Sequence, residues 1–292
     1  MRSRHFVADT FWIGVERATY YIFFPALLVT SLARARLDGL PVGQMMMTDG
    51  IGVLGIAALV ALAAPGLARP PFRLDGPSFT SLFQCSIRPN TYVGLAAAAG
   101  LWGRDGVTLT AIGIALVVPL VNLLCIPAML HWARPPGGMA PRWRHMLKPI
   151  VTNPLIASCL LGVALNVSGI GIPPLAGPFL DSLAAVSLPL GLLAVGAGLS
   201  LRALRATGAS VLLAVAVKMV ALPLLTLAVG RMLGLDGLAL NACVFYAALP
   251  AAPVSYILAR QMGGDAPLVS SMLSVQVVAG AILLPLWMLV LN

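Results

Sequence analysis

Arg88, Pro89 and Asn90 stand consecutively inside a stretch, residues 86–103 (SIRPNTYVGLAAAAGLWG), that is otherwise apolar enough to cross a membrane. A bilayer offers no water to backbone freed by proline and penalises an ionisable side chain at mid-depth, so such a break persists where it lines a protein cavity. Pro89 lacks an N–H and disfavours helical geometry at Arg88, which predicts two half-helices rather than one rod. A second break is expected in residues 247–260 (AALPAAPVSYILAR), where Pro250 and Pro253 interrupt another apolar run. Half-helices starting at Asn90 and near Ala252 would aim unpaired N–H groups and positive dipole ends at the protein centre, a setting that favours an anion. The Arg88 guanidinium and Asn90 amide suit a carboxylate by paired hydrogen bonds, with hydroxyls from Thr91, Ser255 and Tyr256 in the same turns. The candidate substrate-binding residues are therefore Arg88, Pro89, Asn90, Thr91, Pro250, Ala252, Pro253, Ser255 and Tyr256. Asn122, Lys218 and Gln276 are candidates for lining the cavity or bonding between helices. Singly, each proline reads equally as a kink and Asn90 as a helix cap; the recurrence of the break at matching positions is what favours function.

The elements that position these residues follow from composition. With 60% apolar and 9% charged residues and a mean hydropathy of +0.97, the chain lies far from the balance of a soluble domain. It reads as an all-α polytopic membrane protein. At about 20 residues per crossing, nine spans are expected, at 11–32, 50–68, 79–102, 107–131, 149–168, 179–201, 207–230, 238–260 and 268–291. Residues 133–148 form the one long polar loop, dividing a first part, 1–132, from a second, 149–292. The start of the chain lacks a signal peptide's apolar core, so the first span itself directs insertion.

The net charge of +9 is sorted by side. Threading the spans places Arg2, Arg4, Arg17, Arg69, Arg73, Arg134, Arg142, Arg144, Lys148, Arg202, Arg205 and Arg260 on one face, against Arg34, Arg36, Arg104 and Arg231 on the other. The positive-inside rule then makes the amino terminus and the 133–148 loop cytoplasmic and the carboxyl terminus extracytoplasmic; the expected location is the cell inner membrane. The loop holds no aromatic interleaving beyond Trp143, which argues against nucleic acid as a partner.

Cys85, Cys125, Cys159 and Cys243 fall in spans without metal-type pairing and read as small core residues. The histidines His5, His131 and His145 lack ligand spacing, and no nucleophile, base and acid cluster appears in the spans, so neither a cofactor nor an enzyme is expected. All nine acids, Asp49 among them, map to loops or span ends, which disfavours a carboxylate proton relay. Gly94, Gly162, Gly191, Gly196 and Gly198 suit close helix packing.

Compared with itself, the chain shows a repeat. A shift of 161 residues brings Pro89 onto Pro250 and Val93 onto Val254, and lays Gly103 and Arg104 over Gly264 and Asp265. The second copy has five spans and the first four, so the counterpart of 149–168 falls before Met1: either the protein has nine spans, or an upstream segment is missing. An odd number of helices per repeat inverts the two copies, the arrangement used for alternating access.

At Tyr20–Leu32 (YYIFFPALLVTSL), Arg88–Leu95 (RPNTYVGL), Thr152–Leu155 (TNPL), Leu188–Leu199 and Ala248–Asp265, in that order and spacing, the chain resembles the auxin efflux carrier family. The resemblance implies a fold similar to the bile-acid sodium symporters, with inverted five-helix repeats, two crossing broken helices and a transport domain moving as an elevator against a scaffold. It implies substrate binding at Pro89, Asn90 and Thr91 and a second crossing helix at Pro250 and Pro253. Spans 11–32, 149–168 and 179–201 would be scaffold, and 50–68, 79–131 and 207–291 the moving domain. The expected function is a secondary transporter of small organic anions, mono- or dicarboxylates including auxin-like acids, acting in efflux. The expected partners are that anion, membrane lipid and a second copy docked through scaffold helices. Two rivals stand beside it, a cation-coupled antiporter of related fold and a non-transporting receptor or regulatory protein. Against the family's pattern, the helix preceding residue 11 is absent and the last span reads Val275-Gln276-Val277-Val278-Ala279-Gly280.

Overall fold

The computed structural model describes residues 9–35, 39–133, 152–198 and 208–291, whose regular elements are helices. The expected loop 133–148, Ala133 apart, lies outside them, as do Arg2, Arg4, Arg36, Arg202 and Arg205. The helices are α1 (Asp9–Ala18, a π-helical turn Thr19–Phe23, then Phe24–Ala33), α2 (Val42–Leu62), α3 (Gly76–Ile87) and α4 (Thr91–Trp132, non-helical at Gly103). They continue with α5 (Pro154–Val167), α6 (Gly177–Gly198) and α7 (Ala209–Ala216, a π-helical turn Val217–Ala221, then Leu222–Met232). The chain ends with α8 (Gly237–Ala248), α9 (Val254–Met262) and α10 (Ala266–Leu291). Among the described residues, four helices, α2, α4, α7 and α10, are long and apolar enough to cross a membrane, and several more are shorter apolar rods. The protein is a polytopic membrane protein.

Contacts divide the chain into two compact units, the first of residues 1–40, 91–115 and 151–199, the second of 41–90, 116–150 and 200–292. In the first, α1 packs against α5 and α6. Gly162 makes this possible, because a Cβ there would stand 2.9 Å from Leu32 Cβ and 3.2 Å from the Val29 backbone. Gly191 likewise faces the Phe24 ring, whereas Gly196 has open space around it. Phe24 also stacks on Tyr92 at 4.7 Å. The carbonyls left open at the end of α1 are met by Asn166 Nδ2, which donates to Leu32 O, Ala33 O and Ala35 O at 2.9, 3.2 and 2.7 Å. Arg34 forms a two-point ion pair with Asp181 at 2.6 and 3.0 Å, but both side chains are about half exposed, so Asn166 contributes more to holding this corner.

In the second unit, α2 packs along α7, and α7 along α8. Both π-helical turns end two residues before a proline, Pro25 in α1 and Pro223 in α7. The proline removes one N–H from the ladder and pushes on the preceding turn, which widens to accommodate it. α3 starts at Asp75, whose carboxylate accepts from Ser78 N at 2.9 Å, and α8 starts at Asp236. Residues 75 and 236 are 161 positions apart, and both helices run 12 residues before they break.

Gly76 makes the start of α3 possible, since a Cβ there would run into the Trp132 carbonyl. Gly76→Ala is expected to cost about 1–3 kcal/mol, read as a lower thermal-unfolding midpoint of the detergent-purified protein. An unchanged midpoint would show that the two helix ends do not need this approach.

One expectation is corrected here. The second span was placed at 50–68 with Asp49 outside it, but α2 begins at Val42 and Asp49 lies inside the helix, 4% exposed. Apolar windows count a charge against a span; this one is tolerated because a cation from another helix lies near it, as shown next.

Candidate functional site

α3 ends where Arg88 turns extended, φ −85° and ψ 114°, ahead of Pro89. α8 ends where Leu249 turns extended, φ −60° and ψ 146°, ahead of Pro250. The two breaks lie side by side: Pro89 and Ala251 form an isolated antiparallel bridge, and Asn90 N donates to Pro250 O at 2.8 Å. Ala251 N donates to Gln276 Oε1 at 2.8 Å, while Gln276 Nε2 donates to Cys85 O and Ala214 O, both at 3.1 Å. One wholly buried amide thus braces the end of α3, the second break and α7. Of the two roles expected for it, Gln276 takes the bonding between helices, its amide being committed to main chain on each of these sides.

These bonds revise the expected electrostatics. The amides of the breaks are largely used: Asn90 N and Ala251 N as described, Ser255 N by Ala252 O and Tyr256 N by Pro253 O, each at 3.0 Å. A broken pair that satisfies its own backbone leaves less positive potential for a guest than two uncapped helix ends would. The guanidinium is different. Arg88, 4% exposed, donates through Nη1 to Asn122 Oδ1 at 2.9 Å, and its Nε and Nη2 are buried with no partner among the described residues. Asn122 therefore orients Arg88. Ser255 Oγ, wholly buried, and both polar ends of the Gln84 amide, one turn before Arg88, also have no hydrogen-bond partner among the described residues. Pro89, Asn90, Thr91 and Pro250 are buried, Ala252 is partly exposed, and Pro253 and Tyr256, the latter 37% exposed, turn outward. Of the expected hydroxyls on α9, the interior holds Ser255 and not Tyr256.

Lys218 sits in the π-helical turn of α7, wholly buried, and its Nζ donates to Ala247 O at 2.7 Å, a carbonyl of the last turn of α8. It lines a cavity with Asp49, Val53, Ile87, Pro89, Thr226 and Tyr246, among others. Asp49 and Lys218 lie within electrostatic reach of each other, and the Cys243 thiol lies beside the carboxylate. Asp49 escaped the sequence reading. The signal was present in Pro41 followed by Val42–Met47, a run too apolar for a loop. All four cysteines are buried.

A family model described as membrane transport protein matches residues 142–288. The chain belongs to the auxin efflux carrier family. This is a family of transporters and not of enzymes. Over 280 residues this family member is 26% identical to an uncharacterized transporter of Methanothermobacter thermautotrophicus, covering 95% of this chain and 88% of that protein. It is also 25% identical over 283 residues to a Rhizobium meliloti protein provisionally named a malonate transporter, covering 90% and 84%.

Proposed function

We propose that the protein is a secondary carrier of small organic anions, mono- or dicarboxylates, that binds its substrate at the paired breaks. The observation that carries this reading is the Arg88 guanidinium, buried with two nitrogens unpartnered among the described residues. A buried charge in that state is costly until an anion meets it, and a carboxylate fits the open edge of the fork. Asn90, Pro89, Thr91, Pro250, Ala252 and Ser255 complete the proposed site.

In this reading spans 50–68, 79–131 and 207–291 are the transport domain and 11–32, 149–168 and 179–201 the scaffold. The chain is an inverted duplication, supported by the 161-residue offset of two equal helices and their breaks, and it works by elevator-type alternating access. In this reading the protein lies in the inner membrane with its amino terminus in the cytoplasm, an orientation that the distribution of the basic residues supports. Efflux and a homodimer through the scaffold helices are part of this reading, and the family likeness supports them. A cation-coupled carrier gains support from Asp49, a buried carboxylate beside the breaks.

The test is uptake of a labelled panel of organic acids into proteoliposomes, with wild type and Asn90→Ala, with and without sodium or proton gradients. Wild type is expected to carry at least one acid, and Asn90→Ala to lower its uptake about tenfold, as loss of one good buried hydrogen bond to a charged group does. Equal uptake by both proteins removes Asn90 from the site; an absolute requirement for a cation gradient favours the second reading.

A further inference from the structure

We infer that the site is charge-balanced for a monoanion and discriminates against dianions, an inference that rests on the anion site proposed above. Among the described residues of the second unit, the buried charged side chains are Asp49, Arg88 and Lys218. Asp49 and Lys218 line one cavity and act on each other. As a carboxylate and an ammonium, the form in which each offsets the other, their sum is zero. Arg88 remains. It stands against the neutral Asn122 amide and beside the Cys125 thiol, neither of which carries an offsetting charge, and its Nε and Nη2 have no hydrogen-bond partner among the described residues. Among the described residues of the second unit, the buried side chains therefore hold one uncompensated positive charge.

A carrier site that crosses the low-dielectric part of a membrane is least costly when it is neutral with its guest aboard. One carboxylate brings the loaded site to zero. A second carboxylate would leave one net negative charge, and Lys218, the other buried cation, is already bonded to Ala247 O and offset by Asp49. Asp49 is then a specificity-determining residue: it cancels Lys218 and so keeps the site from accepting two negative charges.

Malonate and its monoamide, malonamate, differ by little more than one charge. At pH 8, where malonate is a dianion, uptake of both labelled compounds is measured in proteoliposomes of wild type, Asp49→Asn, Asp49→Glu and Arg88→Gln. Wild type is expected to favour the monoamide about tenfold, the effect of one unmatched charge in a partly screened site. Asp49→Asn, which raises the buried sum by one positive charge, is expected to shift the ratio about tenfold toward malonate, and Asp49→Glu to keep the wild-type ratio. A wild-type preference for malonate, or the same ratio in Asp49→Asn, overturns the inference. A shared shift in Asn and Glu variants also overturns it, since shape and not charge would then set the ratio. If Arg88→Gln loses both substrates while the Asp49→Asn ratio stands still, the anion site survives and only its charge balance falls. If Arg88→Gln matches wild type, or if neither compound is carried or protects against thermal unfolding, the site reading falls with it.

Discussion

Arg88→Gln is expected to lower uptake of the carried acid by about thirtyfold to several thousandfold, the range that follows from losing a buried charged contact worth about 2–5 kcal/mol. The direction of the accompanying stability change separates binding from scaffolding. The guanidinium is 4% exposed, has one hydrogen bond to Asn122, and keeps Nε and Nη2 unmatched among the described residues. Such a charge is a net cost to folding. Glutamine removes the charge, so the thermal-unfolding midpoint of detergent-purified Arg88→Gln is expected to hold or rise while uptake collapses. Arg88→Lys keeps a point charge without the planar fork and is expected to fall between the two in uptake. A variant that unfolds at markedly lower temperature and binds normally once folded would make Arg88 a structural ion.

Gln276→Leu is expected to do the reverse, damaging the fold first. Its amide accepts from Ala251 N and donates to Cys85 O and Ala214 O inside a wholly buried site. Leucine fills similar space and leaves Ala251 N and Cys85 O without this partner, each worth about 1–3 kcal/mol, while Ala214 O keeps its bond from Val217 N. Polar contacts between membrane helices average nearer 0.6 kcal/mol, because a helix pulled apart in lipid keeps its own backbone bonds. The larger figure applies here because Ala251 lies outside any helix and has no ladder to return to. A loss of about 3 kcal/mol or more is expected, read as a strongly lowered unfolding midpoint in detergent and poor recovery of monodisperse protein. A midpoint within a degree or two of wild type would show that water or lipid replaces the brace.

Local chemistry in the chain determined a good deal. Apolar runs and sparse charge specify a helical membrane protein, and proline geometry specifies interruptions after Ile87 and after Ala248, because a missing N–H and a crowded preceding residue act within a few positions of sequence. The recurrence of Asp, helix and break at an offset of 161 residues is legible for the same reason.

Tertiary structure decided what each polar residue does. Asp49 lies within α2 because Lys218, 169 positions away, offsets its charge, and no window along the chain registers that. Gln276 braces backbone and Asn122 orients Arg88 because the folded chain brings open carbonyls and a guanidinium to them. Ser255 turns inward and Tyr256 outward through the phase of one short helix. The break amides bond within the breaks, whereas Arg88 Nε and Nη2 keep no hydrogen-bond partner among the described residues. Burial and pairing depend on which helices meet, and that is settled by packing between distant segments rather than by the order of residues in any one of them.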